Sequence, residues 1–280
     1  MSFCQQESSG SVNISIFTQY EKYIMTDITY VKFSDIDNIY QKITAYDSSY
    51  MHYGFTNSYT NVIDYFRRMR DALSLGFTYQ NDKIQSIDDS ALHSIISDTD
   101  TDTDTDTDTD NVTESTRKEI LTILNSLNSH STDLNERMNK QYLLADIVTM
   151  LNNVTLSNDE LTKLIHELNQ RINDLTASKI PLSSKENNYY LQSNLFPSID
   201  DLIRKLQDEI KILLSRIEDN NKLLKVIVEI NECMLSMLAV SALWLHNSQR
   251  FDIYFTPDAN LSGLDTLVAE QKQYFTSFGS

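Results

Sequence analysis

Glycine and proline are scarce, with five and three in 280 residues. Tight turns and loops that cradle phosphate lean on glycine, so their rarity counts against a loop-rich α/β enzyme. Two cysteines, Cys4 and Cys233, make neither a disulfide framework nor a cysteine-based metal site. Gly-rich phosphate loops, paired-cysteine metal motifs, His-Glu-x-x-His and Gly-x-Ser-x-Gly are all missing from the sequence. Its five histidines (His52, His93, His130, His166, His246) are scattered. No cofactor, metal ligand or catalytic residue is therefore expected. Bases are also few: 23 Lys and Arg against 40 Asp and Glu give a net charge of −17. The low-complexity Asp-Thr run Asp98 to Asp110 holds seven of the acids, and removing them still leaves −10. Such a field repels nucleic-acid phosphate, and the densest basic strip, Arg67-Arg68-Met69-Arg70, reads as a solvated helix face. The start MSFCQQESSG lacks the basic and apolar regions of a secretory signal.

What the chain has instead is heptads. Ile203, Ile210, Ile217, Leu224, Asn231, Leu238 and Leu245 recur every seven residues. Leu206, Leu213, Asn220, Ile227, Met234 and Ser241 form a second row three residues later. A seam at 3.5 residues per turn is buried against another helix along its length. Pro197-Ser198 with Asp200 and Asp201 reads as the start of this helix. It runs to about Asn247, or ~75 Å at 1.5 Å per residue, so it is expected to project or to lie along a partner. Asn220 and Asn231 in the seam are candidates for setting register. The most apolar window, Val226 to Leu245, is interrupted by Glu229, Asn231 and Glu232. Its uninterrupted part is shorter than the roughly 20 residues of a membrane span, so it reads as a buried helix.

The remaining segments are also read as mostly helical. Residues 1–11 read as disordered. A small helical module spans 12–96. It begins with a strand-like Val12-Ile14-Ile16 alternation and an ambiguous Tyr/Phe-rich stretch to Phe33. A helix capped by Ser34-Asp35 follows, with Ile36, Ile39, Tyr40 and Ile43 on one face. The next helix, Asn61 to Leu75, is stopped by Gly76, and a short helix covers Ser90 to Ile96. An acidic tether, 97–112, is expected to be extended and marks the domain boundary. Coiled-coil helices fill 113–247. The first opens at Thr113-Glu114-Ser115-Thr116, with a seam of Ile120, Leu127, Leu134, Gln141 and Val148. The second opens at Ser157-x-x-Glu160, carries Leu161, Leu164, Ile165, Leu168, Ile172 and Leu175, and ends at Ile180-Pro181. In 248–280, Phe251, Ile253 and Phe255 alternate like a strand. An amphipathic helix, Leu264 to Phe278, follows, its tip of Tyr274, Phe275 and Phe278 suited to docking on the coil or on a partner. Trp244 reads either as an anchor at an inter-subunit contact or as a plug at the end of an intrachain coil.

Met237-Leu238-Ala239-Val240-Ser241-Ala242-Leu243-Trp244, then His246-Asn247-Ser248 and Phe251-Asp252-Ile253, resemble the C-terminal part of inner-kinetochore coiled-coil subunits of the centromere protein H family. The likeness covers about 20 residues, with coil patterning over about 80 more. The family's glycine-serine step and the Asp-Pro after its tryptophan are missing here. The resemblance implies a nuclear, non-enzymatic subunit that pairs its long helix with a sister coil at the centromere.

The fold expected from the sequence is thus mostly α: a long coiled coil or helical hairpin with a small N-terminal helical module. The expected function is a non-enzymatic coiled-coil subunit of a multiprotein complex. Its partner helix would bind through Ile203, Leu206, Ile210, Leu213, Ile217, Leu224, Ile227, Met234, Leu238, Trp244 and Leu245, with Asn220 and Asn231 setting register. The expected partner is a different coiled-coil chain rather than a second copy, with neither nucleic acid nor membrane bound directly, in the nucleus or alternatively the cytoplasm. The alternative function is a vesicle-trafficking or membrane-tethering subunit, which would use Phe275 and Phe278 on lipid. An enzyme would need a pocket in the Tyr-rich N-terminal module. Closure of residues 116–175 onto 198–247 within one chain competes with binding to another.

Overall fold

Long amphipathic stretches with few breakers fold as long helices. The computed structural model describes residues 32–44, 55–98, 107–142, 144–183, 189–256 and 259–280. Its helices are α1 (Phe33–Thr44), α2 (Thr56–Gln85), α3 (Asp89–Asp98), α4 (Thr107–Gln141), α5 (Leu144–Ser183), α6 (Tyr189–Gln249) and α7 (Leu264–Gly279). A 3₁₀ turn, Asp252–Tyr254, follows α6, and the described residues contain no strand. The protein is mostly α, as its heptads imply. Val12, Ile14, Ile16 and the Tyr-rich stretch before Lys32 lie outside the described residues.

The helix starts follow local chemistry. At α1 the Asp35 carboxylate accepts the Lys32 backbone N–H at 3.3 Å. This is the returning half of a capping box, so the cap is Lys32 rather than Ser34. At α3, Asp88 accepts the Ala91 N–H at 2.8 Å. Gly263, at φ 82, turns the chain into α7 through a conformation that a side chain would strain.

Several expected boundaries move. Gly76 does not stop α2, which runs on to Gln85. A Cβ at Gly76 would stand 2.6 Å from Leu134 Cδ2 and 3.4 Å from Trp244 Cζ3, so this glycine permits close helix approach instead. Helix α4 ends at Gln141 and α5 starts at Leu144, so Ser157 and Glu160 lie inside α5. No glycine or proline marks that break. Pro181 lies within α5 and Pro197 within α6. Each proline removes one backbone donor, a loss that long flanking helices can absorb. Asp98 ends α3, and Thr107–Asp110 already belong to α4; acidic residues suit a helix N-terminus. Residues 99–106 of the tether lie outside the described residues. The run Phe251, Ile253 and Phe255 is the 3₁₀ turn rather than a strand. Among the described residues no strand offers a ladder there, and Phe251 and Tyr254 are both buried through a helical turn.

The chain forms two compact units. The first comprises Met1–Ala45, Ile63–Leu143 and Ile230–Ser280, so the short N-terminal helices share a core with α4, the end of α6 and α7. Phe66, Met69, Leu73, Ile84, Leu124, Leu134, Trp244, Phe251 and Phe278 are each almost wholly buried in it. The Phe33, Phe77, Phe275, Phe278 and Trp244 rings pack with centroids 5.3 to 6.5 Å apart, a range that favours tilted aromatic contact. The second unit comprises Tyr46–Val62 and Leu144–Glu229. There α5 and the first part of α6 form an antiparallel hairpin: Lys179 pairs with Asp200, while Asn158 meets Asn220 and Asn221. Leu168, Leu206 and Leu213 form its core, with Leu161, Ile165, Ile172, Leu175 and Ile210 packed against them.

Candidate functional site

The long-helix seam was the expected binding site, and the structure divides it between the two units. In the second unit, Leu206, Leu213, Asn220 and Ile227 are buried. Ile203, Ile210, Ile217 and Leu224, the other row, are only half-buried. Helix α5 therefore fills one row and leaves the second at the margin. Asn220 donates to Asn158 Oδ1 at 2.8 Å, and Asn158 donates to Asn221 Oδ1 at 3.0 Å. The seam asparagine thus finds its polar partner within the same chain.

In the first unit, Met234, Leu238, Asn231 and Trp244 are buried, and Leu245 is half-buried. Asn231 accepts the Tyr142 hydroxyl at 2.9 Å. Two further contacts cross between α4 and α6: Ser241 donates to Asn135 Oδ1 at 3.1 Å and Ser248 to Asn128 Oδ1 at 3.3 Å. Asn128, Asn135 and Tyr142 are seven apart on α4, and their partners run the opposite way along α6. This polar row fixes an antiparallel register, because a slip of one residue would bury these groups unpaired. Sequence reasoning missed it: the seven-residue spacing of Asn128, Asn135 and Tyr142, and of Ser241 and Ser248, is visible in the sequence, but their pairing is not.

Trp244 is the plug of an intrachain coil rather than an exposed anchor. Its indole N–H donates to Tyr274 Oη at 3.1 Å, and its ring lies 5.4 Å from both Phe275 and Phe278. The aromatic tip of α7 thus docks back on the coil. Lys272 holds α7 to the α2–α3 corner, donating to Ile87 O at 2.6 Å and Asp89 Oδ1 at 2.7 Å. Leu206, Leu213, Ile227, Met234, Leu238 and Trp244, expected to meet another chain, are buried within this one.

The basic strip is spent locally. Arg67 and Arg68 each reach Asp64 at 3.0 Å. Arg70 pairs with Asp37 and Asp71 and lies 4.6 Å from the centre of the Tyr40 ring, while Met69 is buried. Burial pushes the Cys233 thiol up to about 12, which leaves it an inert small hydrophobe. Burial likewise raises the Tyr274 phenol to about 12, against the opposing hydrogen bond from Trp244. His130 is held below its ordinary value, first by burial and then by the Arg137 charge. Its ring stacks on Tyr79 at 4.1 Å. Among the described residues no group of three or more His, Cys, Asp or Glu converges as a metal site. Among the described residues one helix, α6, carries an 18-residue window of mean hydropathy 1.7, long and apolar enough to cross a membrane; 61% of that window is buried inside the fold.

These features define a mostly α protein whose heptad seam is largely buried within its own chain. No family model matches the chain, and no curated protein matches it. Its fold is similar to that of the soluble AhlC of the tripartite α-pore forming toxin AHL from Aeromonas hydrophila. The TM-score is 0.53 at 8% identity, covering 90% of this chain and 95% of that one. The AhlC triple head mutant of the same toxin gives 0.53 at 11% identity, with 90% and 94% covered.

Proposed function

We propose that the chain is a non-enzymatic subunit of a helical assembly that it joins through the α5–α6 hairpin of its second unit. The observation that carries this is where apolar surface is left over. Among the described residues, Leu156, Leu164, Leu202, Ile212, Leu214 and Val228 stand exposed on that hairpin, against Leu75 and Ile253 in the first unit. Ile212 and Leu214 are 57% and 52% exposed and lie on opposite flanks of the buried Leu213. A two-helix hairpin with apolar flanks buries more surface when a further helix lies against it. The half-buried row Ile203, Ile210, Ile217 and Leu224 adds to the same need.

The kind of assembly favoured is a membrane-active one. The similar structure is that of the soluble AhlC of a tripartite α-pore forming toxin, and α6 carries an apolar window of membrane-spanning length, 61% of it buried inside the fold. The inner-kinetochore subunit is the alternative reading. It rests on the Met237 to Ile253 resemblance and would use the same exposed flanks for a sister coil.

Light scattering on the full chain, with flotation on phosphatidylcholine vesicles, tests the proposal. The expected result is self-association or vesicle binding that an Ile212→Asp/Leu214→Asp variant loses while keeping its helical content. A chain that stays monomeric at every soluble concentration and never floats refutes it. Association without flotation refutes the membrane setting and leaves the alternative one standing.

A further inference from the structure

A core that already holds Trp244, Phe251 and Phe275 also takes in two glutamines. Gln80 on α2 is 2% exposed and Gln271 on α7 is 5% exposed. Burying a primary amide costs free energy unless its groups are paired. Gln80 Nε2 is well placed: it lies 3.1 Å from the Leu127 carbonyl and 2.7 Å from Ser131 Oγ. A carbonyl oxygen accepts only from a donor, so the Gln80 amide has one orientation, and its Oε1 is left without a partner among the described residues. The Gln271 side chain likewise makes no hydrogen bond among them. Both line the same cavity, together with Ile84, Leu127, Trp244, Phe251, Phe275 and the hydroxyl-bearing Ser248.

The cavity has about 10 Å³ of room for the centre of a water molecule, close to what one water requires. It is too small for an organic ligand, and its walls carry no charge for an ion. The Trp244 indole N–H is spent on Tyr274. The Ser248 proton is directed to Leu245 O or Asn128 Oδ1 at 2.9 and 3.3 Å, which leaves the oxygen's lone pairs as acceptors.

We propose that this cavity is the binding site of one ordered water that bridges Gln80 and Gln271. The water donates one proton to Gln80 Oε1 and the other to Ser248 Oγ, and it accepts an N–H from Gln271 Nε2. These three bonds match the usual number for a buried water. They join α2, α6 and α7 through a polar key within the first unit. The site explains why α7 presents a glutamine, rather than a leucine, between Val268 and Phe275 on its buried face.

A crystal structure of the full chain that resolves ordered solvent tests the site directly. The expected result is one water within hydrogen-bonding reach of both amides. A dry cavity, or a Gln271 amide bonded directly to Gln80, overturns the proposal. Thermal melts of Gln80→Met, Gln271→Met and the double variant give a second readout. A shared water makes the loss of Tm in the double variant smaller than the sum of the single losses. Additive losses mean that the glutamines share nothing, and the bridge is refuted.

Discussion

Replacing Gly76 by alanine tests how closely α2 passes α4 and the end of α6. At an exposed helix position this change is worth about 1 kcal/mol of added stability through helix propensity. Here the new Cβ would meet Leu134 Cδ2 at 2.6 Å, with Leu134 Cδ1 and Trp244 Cζ3 at 3.4 Å. Carbon atoms pack best at roughly 3.5–4.0 Å, so about 1 Å must open on the Leu134 side. Leu134 is 0% exposed and Trp244 2%, so neither can swing into solvent. Overpacking of this kind costs about 1–3 kcal/mol. The net expectation is a loss of about 1 kcal/mol once the propensity gain of about 1 kcal/mol is subtracted. Trp244, the sole tryptophan, reports on this contact by fluorescence in a urea titration. Gly76→Ala should lower the midpoint and perturb the native emission. Leu134→Ala should cost less in the Gly76→Ala background than alone, because the new methyl occupies part of the space vacated. A raised midpoint, or additive costs, would refute the packing described for α2.

His130 predicts a pH dependence with a definite sign. Its folded pKa lies below the ordinary value, chiefly through burial, so the unfolded chain takes up the proton more readily. The stabilisation from this group is fully present above about pH 6.5 and is lost as the pH falls below it. The urea midpoint should therefore decline from about pH 7 towards pH 5, and His130→Phe, which retains a ring to stack on Tyr79, should flatten the slope; an unchanged slope in the variant contradicts the assignment. Cys233 is buried, with its thiol raised to about 12. In a Cys4→Ser variant, a thiol reagent should label it only at the rate of unfolding, and rapid native labelling would show that this part of α6 is open.

The periodic elements were legible because their cause is local. Ile36 and Ile43, Leu124 and Leu127, and Leu206 and Leu213 recur at helical spacing, and all are buried. The short α3 and the amphipathic α7 were read close to their true limits for the same reason. Breakers misled where a tertiary contact outweighed local preference. Gly76 lies inside a helix because Leu134 and Trp244 leave no room for a Cβ, and Pro181 and Pro197 lie within helices that continue past them. Neither glycine nor proline stands between the end of α4 at Gln141 and the start of α5 at Leu144. The Asn128, Asn135 and Tyr142 row went unread because exposed asparagines of the same spacing look identical in sequence until the facing serines and Asn231 are known.

The sequence by itself determined that this protein is helical and that its long C-terminal helix has an apolar seam. Both follow from side-chain spacing along one chain, which acts over a few residues. Only the tertiary structure decided what fills that seam. Helix α5 covers Leu206 and Leu213, the chain's own helices bury Met234 and Leu238, and α7 closes over Trp244. A heptad specifies the burial of a stripe but carries no address for the surface that buries it, because hydrophobic contact is non-directional. The polar pairs, Asn220 with Asn158 and Asn231 with Tyr142, supply that address. Hydrogen bonds are directional and costly to leave unmade, so they choose one register and, here, partners within the same chain.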